Sequence, residues 1–437
     1  MTESNRIDVR PSASRRDFLK GSAAAVVSGS LAATLGSARM AHAAADGVLK
    51  VGLIGCGGRG SGAAANAMNA DPNVKLTAMG ELFPDRLDQA RKVLQTSLKE
   101  KYAVTDECAF SGFDAYKGVI DSGVDVVLLA EPPHFRPRHL RYAIEQGKHV
   151  FCEKPVAVDG PGVRHVLEST ELAKQKNLNL VSGLCWRYDY GVRETIKRIQ
   201  DGAIGDIVAI QENYLAGTLW HRTRQPEWTE MEYQLRNWYY YTWLSGDHNV
   251  EQHIHSLDKA LWLNGDKPPA KCVGLGGRQV RTEPMWGNIY DHHAVCYEWD
   301  SGVKTFAYTR QMKGCKNDTD DYILGTKGKA IVLGTGNRPR IANDQGEWRY
   351  DGPSPSMYDV EHQELFAAIR AGQTINNGTY MSYSTLLAIM GRMACYTGEE
   401  ITWDMALNSK EDLSPAKYEW GDVKIPEVAM PGVTKFV

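Results

Sequence analysis

The chain has 437 residues, 43% of them hydrophobic and 24% charged, with 50 Lys plus Arg against 53 Asp plus Glu. That length and apolar content suit two or three globular domains whose cores need no disulfide or metal staple. A formal charge of −3 excludes a phosphate-seeking basic protein, and eight scattered Cys without a C-x-x-C pair exclude a disulfide framework or a structural zinc.

The N-terminus reads as an export leader. Ser14-Arg15-Arg16-Asp17-Phe18-Leu19-Lys20 is a twin-arginine pattern, residues 21–38 carry no charge, and Ala41-His42-Ala43 is an A-x-A cleavage site. The uncharged stretch is rich in Ala, Gly and Ser, which is poor material for a membrane span. We therefore expect residues 1–43 to be cleaved in the periplasm or on secretion. Their loss removes six basic and three acidic residues and leaves 44 basic against 50 acidic, a net charge of −6. Twin-arginine signals resemble those of proteins exported already folded, often with a cofactor inside, so the export machinery for such signals is an expected partner.

From residue 48 short apolar runs alternate with helix-like segments, the pattern of a parallel sheet with crossover helices. Residues 48–54 read as a strand, and Gly55-Cys56-Gly57-Gly58-Arg59-Gly60 follows at once as G-x-G-x-x-G. The first Gly permits the tight turn, the second lets the backbone approach a pyrophosphate, and the third lets helix pack on strand. A second strand at 75–79 leads to Glu81, 21 residues after Gly60, placed to accept from ribose hydroxyls. A carboxylate there repels a 2′-phosphate, which favours NAD over NADP as cofactor. Further strands are predicted at 124–130, before Glu131-Pro132-Pro133-His134, and at 149–152, before Glu153-Lys154-Pro155. Both loops fall at the carboxyl edge of the sheet, where open α/β folds bind ligands. Lys154 is expected beside the nicotinamide, where partial burial would suit it to proton transfer.

A helix at 162–176 and a strand at 178–182 close this half. Trp186-Arg187-Tyr188 then precedes strand-rich sequence at 204–214, 271–280, 292–299, 304–309 and 321–324. Nine aromatics lie between Tyr214 and Trp243, Trp220, Trp228 and Trp238 among them; their faces can stack on sugar C–H faces or equally form a core or subunit interface. The densest chemistry is Gly246-Asp247-His248-Asn249-Val250-Glu251-Gln252-His253-Ile254-His255-Ser256-Leu257-Asp258, which is predicted to open a helix running to Leu263. On such a helix Glu251 shares a face with His255, and His248 with Gln252, whereas His253 and His255 do not share one. Because the three His and two acids are not on one face, no metal is assigned to them. Asp291-His292-His293, before a strand, could also face the site. Helices at 359–372 and 385–397 have core-like periodicity.

The glycine loop, Glu81, the Pro132-Pro133-His134 turn and Glu153-Lys154-Pro155 together resemble the Gfo/Idh/MocA family of glucose-fructose oxidoreductase, inositol dehydrogenase and rhizopine-catabolism proteins, over essentially the whole chain after the leader. The resemblance implies an N-terminal Rossmann domain, here residues 47–180, and a C-terminal α/β domain, residues 181–437, with a large, mostly antiparallel open sheet that often mediates oligomerisation. It implies a nicotinamide cofactor, a sugar or cyclitol substrate, and a catalytic role for the lysine of Glu-Lys-Pro. Relatives that oxidise sugars carry Asp-x-x-x-His where this chain has Glu251 and His255, and their His is the proposed base. We assign His255 as general acid/base, Lys154 as its electrostatic partner or alternate proton donor, and Glu251 as an orienter. Gly55, Gly57, Gly58, Arg59, Gly60, Glu81, Pro132, His134, Glu153 and Lys154 are assigned to the cofactor. Trp186, Arg187, Tyr214, Trp238, Asp247 and His248 are assigned to the substrate. Free NAD is scarce outside the cytoplasm, so an exported enzyme is expected to keep its cofactor bound, and the redox cycle must close within the site. Two reactions fit: hydride transfer from a sugar hydroxyl, or a redox-neutral glycoside hydrolysis or elimination through transient oxidation.

Overall fold

The computed structural model describes residues 47–332 and 339–437, so the leader expected at 1–43 lies outside the described residues. Among those residues no helix is long and apolar enough to cross a membrane.

The first half is a six-stranded parallel sheet of β1 (Leu49–Ile54), β2 (Val74–Glu81), β3 (Ala109–Ser111), β4 (Val126–Leu129), β5 (His149–Cys152) and β6 (Leu180–Ser182), in the order β3-β2-β1-β4-β5-β6. Val126, Val127, Leu128 and Leu129 are all fully buried, as a central strand covered on both faces requires; each such side chain contributes roughly 1.5–3 kcal/mol. Helix Gly58–Ala70 follows the glycine turn, Pro84–Leu98 starts on a proline, and Gly160–Gln175 is capped by Asp159, whose carboxylate accepts from the Gly162 N–H at 2.8 Å. The strand order reverses direction between β1 and β4, and the crevice outside their carboxyl ends is the expected ligand site of such a sheet.

The second half is a nine-stranded sheet: β7 (Ile207–Ala216), β8 (Lys271–Gly277), β9 (His292–Glu298), β10 (Lys304–Gln311), β11 (Asp321–Gly325), β12 (Gly328–Val332), β13 (Arg340–Asn343), β14 (Gly346–Arg349) and β15 (Ile401–Thr402). Its order is β14-β13-β12-β11-β7-β10-β9-β8-β15; among the described residues β7 and β10 pair parallel and the other neighbours antiparallel. The fold is thus a Rossmann domain joined to an α/β domain with a mostly antiparallel sheet. Burial alternates along β10, with Thr305, Ala307 and Thr309 inside and Phe306 and Tyr308 outside. The inner face is covered by helices Gly378–Thr397 and Ile254–Leu263. The outer face leaves Val208, Val273, Leu275, Phe306, Tyr308 and Leu324 exposed.

The strands β3 and β12 to β15 have no counterpart among those expected, and two helices differ clearly from expectation. The helix read as continuous from Asp247 to Leu263 is broken: a turn at His248–Glu251 is followed by a new helix at Ile254–Leu263. At the break His253 N–H donates to the His248 carbonyl, five residues back, and His255 N–H to Gln252, three back, which widens and then tightens the winding. The last long helix begins at Gly378, seven residues before the predicted start at 385. It is buried on nearly every side, so its first turns, rich in Ser, Thr and Tyr, carry no amphipathic stripe to read.

Candidate active site

A cavity of about 1070 Å³ lies between the carboxyl edge of the parallel sheet and the second domain. Its floor on one side is the glycine turn. Gly55 has φ +88°, and a Cβ there would meet the Glu131 amide nitrogen at 2.4 Å. A Cβ on Gly60 would strike the Gly55 carbonyl oxygen at 1.9 Å, so helix and turn touch only because both are glycine. A Cβ on Gly57 or Gly58, by contrast, would meet nothing within 4 Å; these two leave bare backbone facing the cavity at the start of helix Gly58–Ala70. That cradle, with N–H donors at a helix N-terminus, fits a pyrophosphate. Glu81 ends β2 at the same wall; its Oε2 accepts from the Cys56 N–H at 2.8 Å and its Oε1 from Phe83 N–H at 3.3 Å. These bonds fix the carboxylate beside the turn, where it can accept from ribose hydroxyls. The residues present therefore fit a nicotinamide dinucleotide.

Arg59 lines the cavity but its guanidinium is engaged within the protein, bonded to Glu153 and, at 2.8 Å, to Glu361 of helix Met357–Arg370. Burial and the nearby Glu153 charge push the Glu361 carboxyl well up. Pro132 and Glu153 line the cavity; His134 does not. His134 instead faces Tyr418, its Nε2 lying 2.8 Å from the hydroxyl, and burial pushes its imidazole down to about 3.

The chemical end of the cavity brings Lys154, Glu251 and His255 together. Lys154 follows β5, and its Nζ donates to Glu251 Oε1 at 2.9 Å and to the Glu251 carbonyl at 2.5 Å. Both side chains are about nine-tenths buried, at 11% and 10% exposure. His255 opens the helix that follows the break. Burial first, then the charges of Lys154, Lys259 and Arg59, hold its imidazole well below the ordinary 6.5, so at neutral pH it is an uncharged base. Tyr214 on β7 donates from its hydroxyl to Gln252 Oε1 at 2.6 Å, and both residues line the same wall with Trp186 and Trp238.

Three residues assigned to the substrate lie away from this cavity. Arg187 is buried and bonds Asp258 at 2.8 Å and Asp266 at 2.7 Å, with its guanidinium 3.8 Å from the Tyr380 ring centroid; it ties the helix Ile254–Leu263 to its neighbours. Asp247 and His248 are fully buried behind Glu251. Asp247 stands at φ +85°, a region costly for a side chain by about 1–3 kcal/mol. Its Oδ2 accepts from Tyr396 Oη at 2.5 Å and Tyr290 N–H at 2.9 Å, and its Oδ1 lies 2.8 Å from His248 Nδ1 and 3.3 Å from His293 Nε2. Burial works to raise this carboxyl, but His293 and His248 outweigh it and hold it well below the usual range. Burial carries His248 down to about 4 despite Asp247.

The His-rich segment thus makes a different cluster from the one its sequence spacing suggested. Asp247, His248 and His293 place potential ligand atoms within 4.8 Å of one another, while Glu251 and His255 go to the cavity. The Asp247 oxygens already have protein donors, and the Arg281 guanidinium approaches His248 Nδ1 to 3.5 Å. A cation held there would have that guanidinium as a neighbour. Trp220, one of the aromatics suited to stacking on a sugar, lines the cavity, and so do Gln252, Lys259, Arg86 and Tyr358, to which no ligand role was assigned from sequence. Lys259 stands four residues after His255, the spacing already noted for His248 and Gln252, and could have been found the same way; Arg86 and Tyr358 sit on helices with no motif.

Comparison with known proteins bears on this site. Residues 49–184 match the Gfo/Idh/MocA oxidoreductase family model for its NAD-binding Rossmann fold, and residues 196–387 match the model for its C-terminal alpha/beta domain. The chain belongs to the Gfo/Idh/MocA oxidoreductase family. It is an NAD-binding oxidoreductase by that membership. Among curated relatives, 2,7-anhydro-N-acetylneuraminate hydratase of Escherichia coli is 26% identical over 65% of this chain and 68% of its own length. Glycosyl hydrolase family 109 protein 1 of Bacteroides fragilis is 27% identical over 38% of this chain and about a third, 35%, of its own length. Among solved structures, a levoglucosan dehydrogenase complex with NADH and levoglucosan superimposes with a TM-score of 0.64 at 19% identity, covering 81% of this chain and 99% of that one; at that identity the likeness is one of fold.

Proposed function

We propose that this family member oxidises a secondary hydroxyl of a sugar or cyclitol with an NAD that stays bound, and that it works in the periplasm after export. The observation that carries the reading is the meeting of Lys154, Glu251 and His255 in the cavity that the glycine cradle and Glu81 also line. Bound there, the nicotinamide would exchange a hydride with the substrate carbon. His255, uncharged at neutral pH, takes the hydroxyl proton as the carbonyl forms. The Lys154 ammonium, held by Glu251, faces the developing negative oxygen and stabilises it. Trp186, Tyr214 and Trp238 offer flat apolar faces for ring C–H groups, and Gln252 offers polar contacts to ring hydroxyls.

Retention of the cofactor is supported by the C-terminal segment, which runs along the carboxyl edge of the parallel sheet. Trp420 packs on Phe83 at 5.7 Å and on Phe113 at 5.0 Å, and Tyr418 on Phe135 at 6.0 Å, measured between ring centroids. It therefore fastens the loops after β2, β3 and β4, which border the cofactor groove. Arg236 of the second domain bonds Asp85 at 3.0 Å beside the same loops. The twin-arginine leader supports export with cofactor already in place. The outer sheet face with Val273, Leu275, Phe306 and Leu324 exposed supports a homo-oligomer built on that face.

A redox-neutral variant of the same chemistry is favoured by the hydratase and glycosyl hydrolase relatives. In it the substrate would be oxidised to a ketone, and His255 would pass the hydroxyl proton to solvent and then accept one from the acidified neighbouring C–H. The leaving group would depart with a proton, water would add across the double bond so formed, and the hydride would return to the ketone with a proton; without the water step the product is the eliminated one. Incubating the as-purified protein with sugars, anhydrosugars and glycosides, without added nucleotide, separates the two. Oxidised sugar supports the dehydrogenase; a hydrolysed, hydrated or eliminated product with no change in bound redox state supports the variant. Absence of either product across these substrates would overturn both.

A further inference from the structure

Behind the catalytic wall lies a buried charge cluster that the chemistry above does not use. Lys259 stands one helical turn beyond His255 on Ile254–Leu263, and both side chains border the cavity. Residues four apart on a helix are neighbours, with Cβ atoms about 5–6 Å apart. The Lys259 side chain is 2% exposed; its Nζ pairs with Asp321 Oδ2 on β11 and lies 5.1 Å from the Trp186 ring centroid. Asp321 in turn sits directly across the strand pairing from Glu212 of β7, and both acids are completely buried. Ser256, which also borders the cavity, donates from its hydroxyl to the Asn213 carbonyl at 3.3 Å.

The charges must balance in so dry a place. One ammonium faces two carboxyls, and two like charges side by side cannot both be ionised in the interior. Burial raises both carboxyls, with the Asp321 charge adding to the rise at Glu212 and the Lys259 ammonium opposing the rise at Asp321; the acid paired with Lys259 is therefore the anion, and the proton is assigned to Glu212. Asp258 is the other acid near Glu212, and it is committed to Arg187 and to the Ser384 hydroxyl at 2.7 Å. Around His255 the charged neighbours are Lys154, Lys259 and Arg59, with Glu251 drawn to Lys154. Lys154 and Arg59 thus have their own acids on the cofactor side, and Lys259 is the cation supplied from beneath.

We propose that Lys259 is a positioning residue for the reaction: clamped by Asp321 across the strand pairing from Glu212, and one helical turn from His255, its ammonium adds to the buried setting that keeps the imidazole ready to accept a proton when substrate arrives. The inference rests on the proposed role of His255 and concerns how that residue is kept ready. It also explains why a lysine and two acids are kept in a core position where apolar side chains would pack at lower cost.

The test is the acid limb of the kcat/KM profile for hydride transfer in the full-length protein, together with the titration of His255 followed by NMR on histidine-labelled protein. In K259M the limb and the His255 midpoint both move up by about one pH unit, with kcat recovered above that limb. In K259R, which keeps the charge, both stay near the wild-type position. The double variant D321N/E212Q leaves the lysine in place but removes its counter-charge; Lys259 is then driven to the neutral amine, and the limb moves up as in K259M. This variant carries the test where K259M does not fold. A limb and midpoint unmoved in K259M or in the double variant would overturn the proposal, as would K259R behaving like K259M. Because the His255 titration needs no turnover, a wild-type protein without hydride transfer refutes the proposed function while the positioning role is still decided.

Discussion

Replacing Glu251 by Gln and Lys154 by Met, singly and together, separates what the Lys154–Glu251 pair does for stability from what it does for chemistry. At 2.9 Å the Coulomb attraction is about 6 kcal/mol for an effective dielectric of about 20. Much of this offsets the desolvation of two side chains that are only 11% and 10% exposed. Removing one partner leaves the other charge uncompensated, which costs about 3–5 kcal/mol for a buried pair. In E251Q the lysine keeps its bond to the residue-251 carbonyl at 2.5 Å, so the lower end of that range is expected. The double variant has no orphan charge and should regain part of the loss in chemical denaturation. Catalysis should behave differently: hydride transfer falls in both single variants by about 100-fold or more and stays low in the double variant. E251Q as stable as wild type would refute the burial reasoning, and recovery of hydride transfer in the double variant would refute the catalytic assignment.

Other consequences follow from the same geometry. Gly60→Ala places a methyl 1.9 Å from the Gly55 carbonyl oxygen; forcing turn and helix apart should cost about 1–3 kcal/mol and lower the nucleotide content of the purified protein, measured by unfolding curves and by absorbance after denaturation. His149, His248 and His362 are held down to about 4 by burial, below their unfolded value near 6.5. The unfolded chain binds more protons between those values, so this contribution is complete above about pH 6.5 and is lost as pH falls through about 4; denaturation midpoints measured across that window should fall steadily. Trp420→Ala removes the ring contacts to Phe83 and Phe113 and should raise the exchange rate of bound for labelled NAD, while a rate equal to wild type would leave the C-terminal segment without that role.

Much of the first domain was legible because its signals are local. A glycine run between an apolar strand and a helix has one economical use, and Glu81 lies at the end of the next strand as its spacing implied. Lys154 was legible for the same reason, as a lysine at the end of a buried strand. The second domain was less so. The break at Gln252 and His253 depends on backbone winding rather than composition, and it sends Glu251 and His255 to the cavity while Asp247 and His248 turn inward. Arg187 looked like a ligand-seeking charge because its partners, Asp258 and Asp266, are distant in sequence and near only after the helix packs. Glu212 and Asp321 are likewise 109 positions apart by their numbering, and only strand pairing makes them one group. β12 to β14 are only four or five residues long, and Lys329, Arg340, Glu347 and Arg349 interrupt their apolar positions.

The central claim is that NAD held in this cavity exchanges a hydride with a sugar-type carbon. Its most direct measurement uses the purified protein with no added nucleotide and a substrate deuterated at the carbon to be oxidised, followed by denaturation and mass analysis of the released cofactor. Close to one nucleotide per chain is predicted, with deuterium at its nicotinamide ring after incubation. A protein that transforms the substrate while releasing no nucleotide would contradict the claim, as would a net oxidised product formed with no deuterium on the released nucleotide.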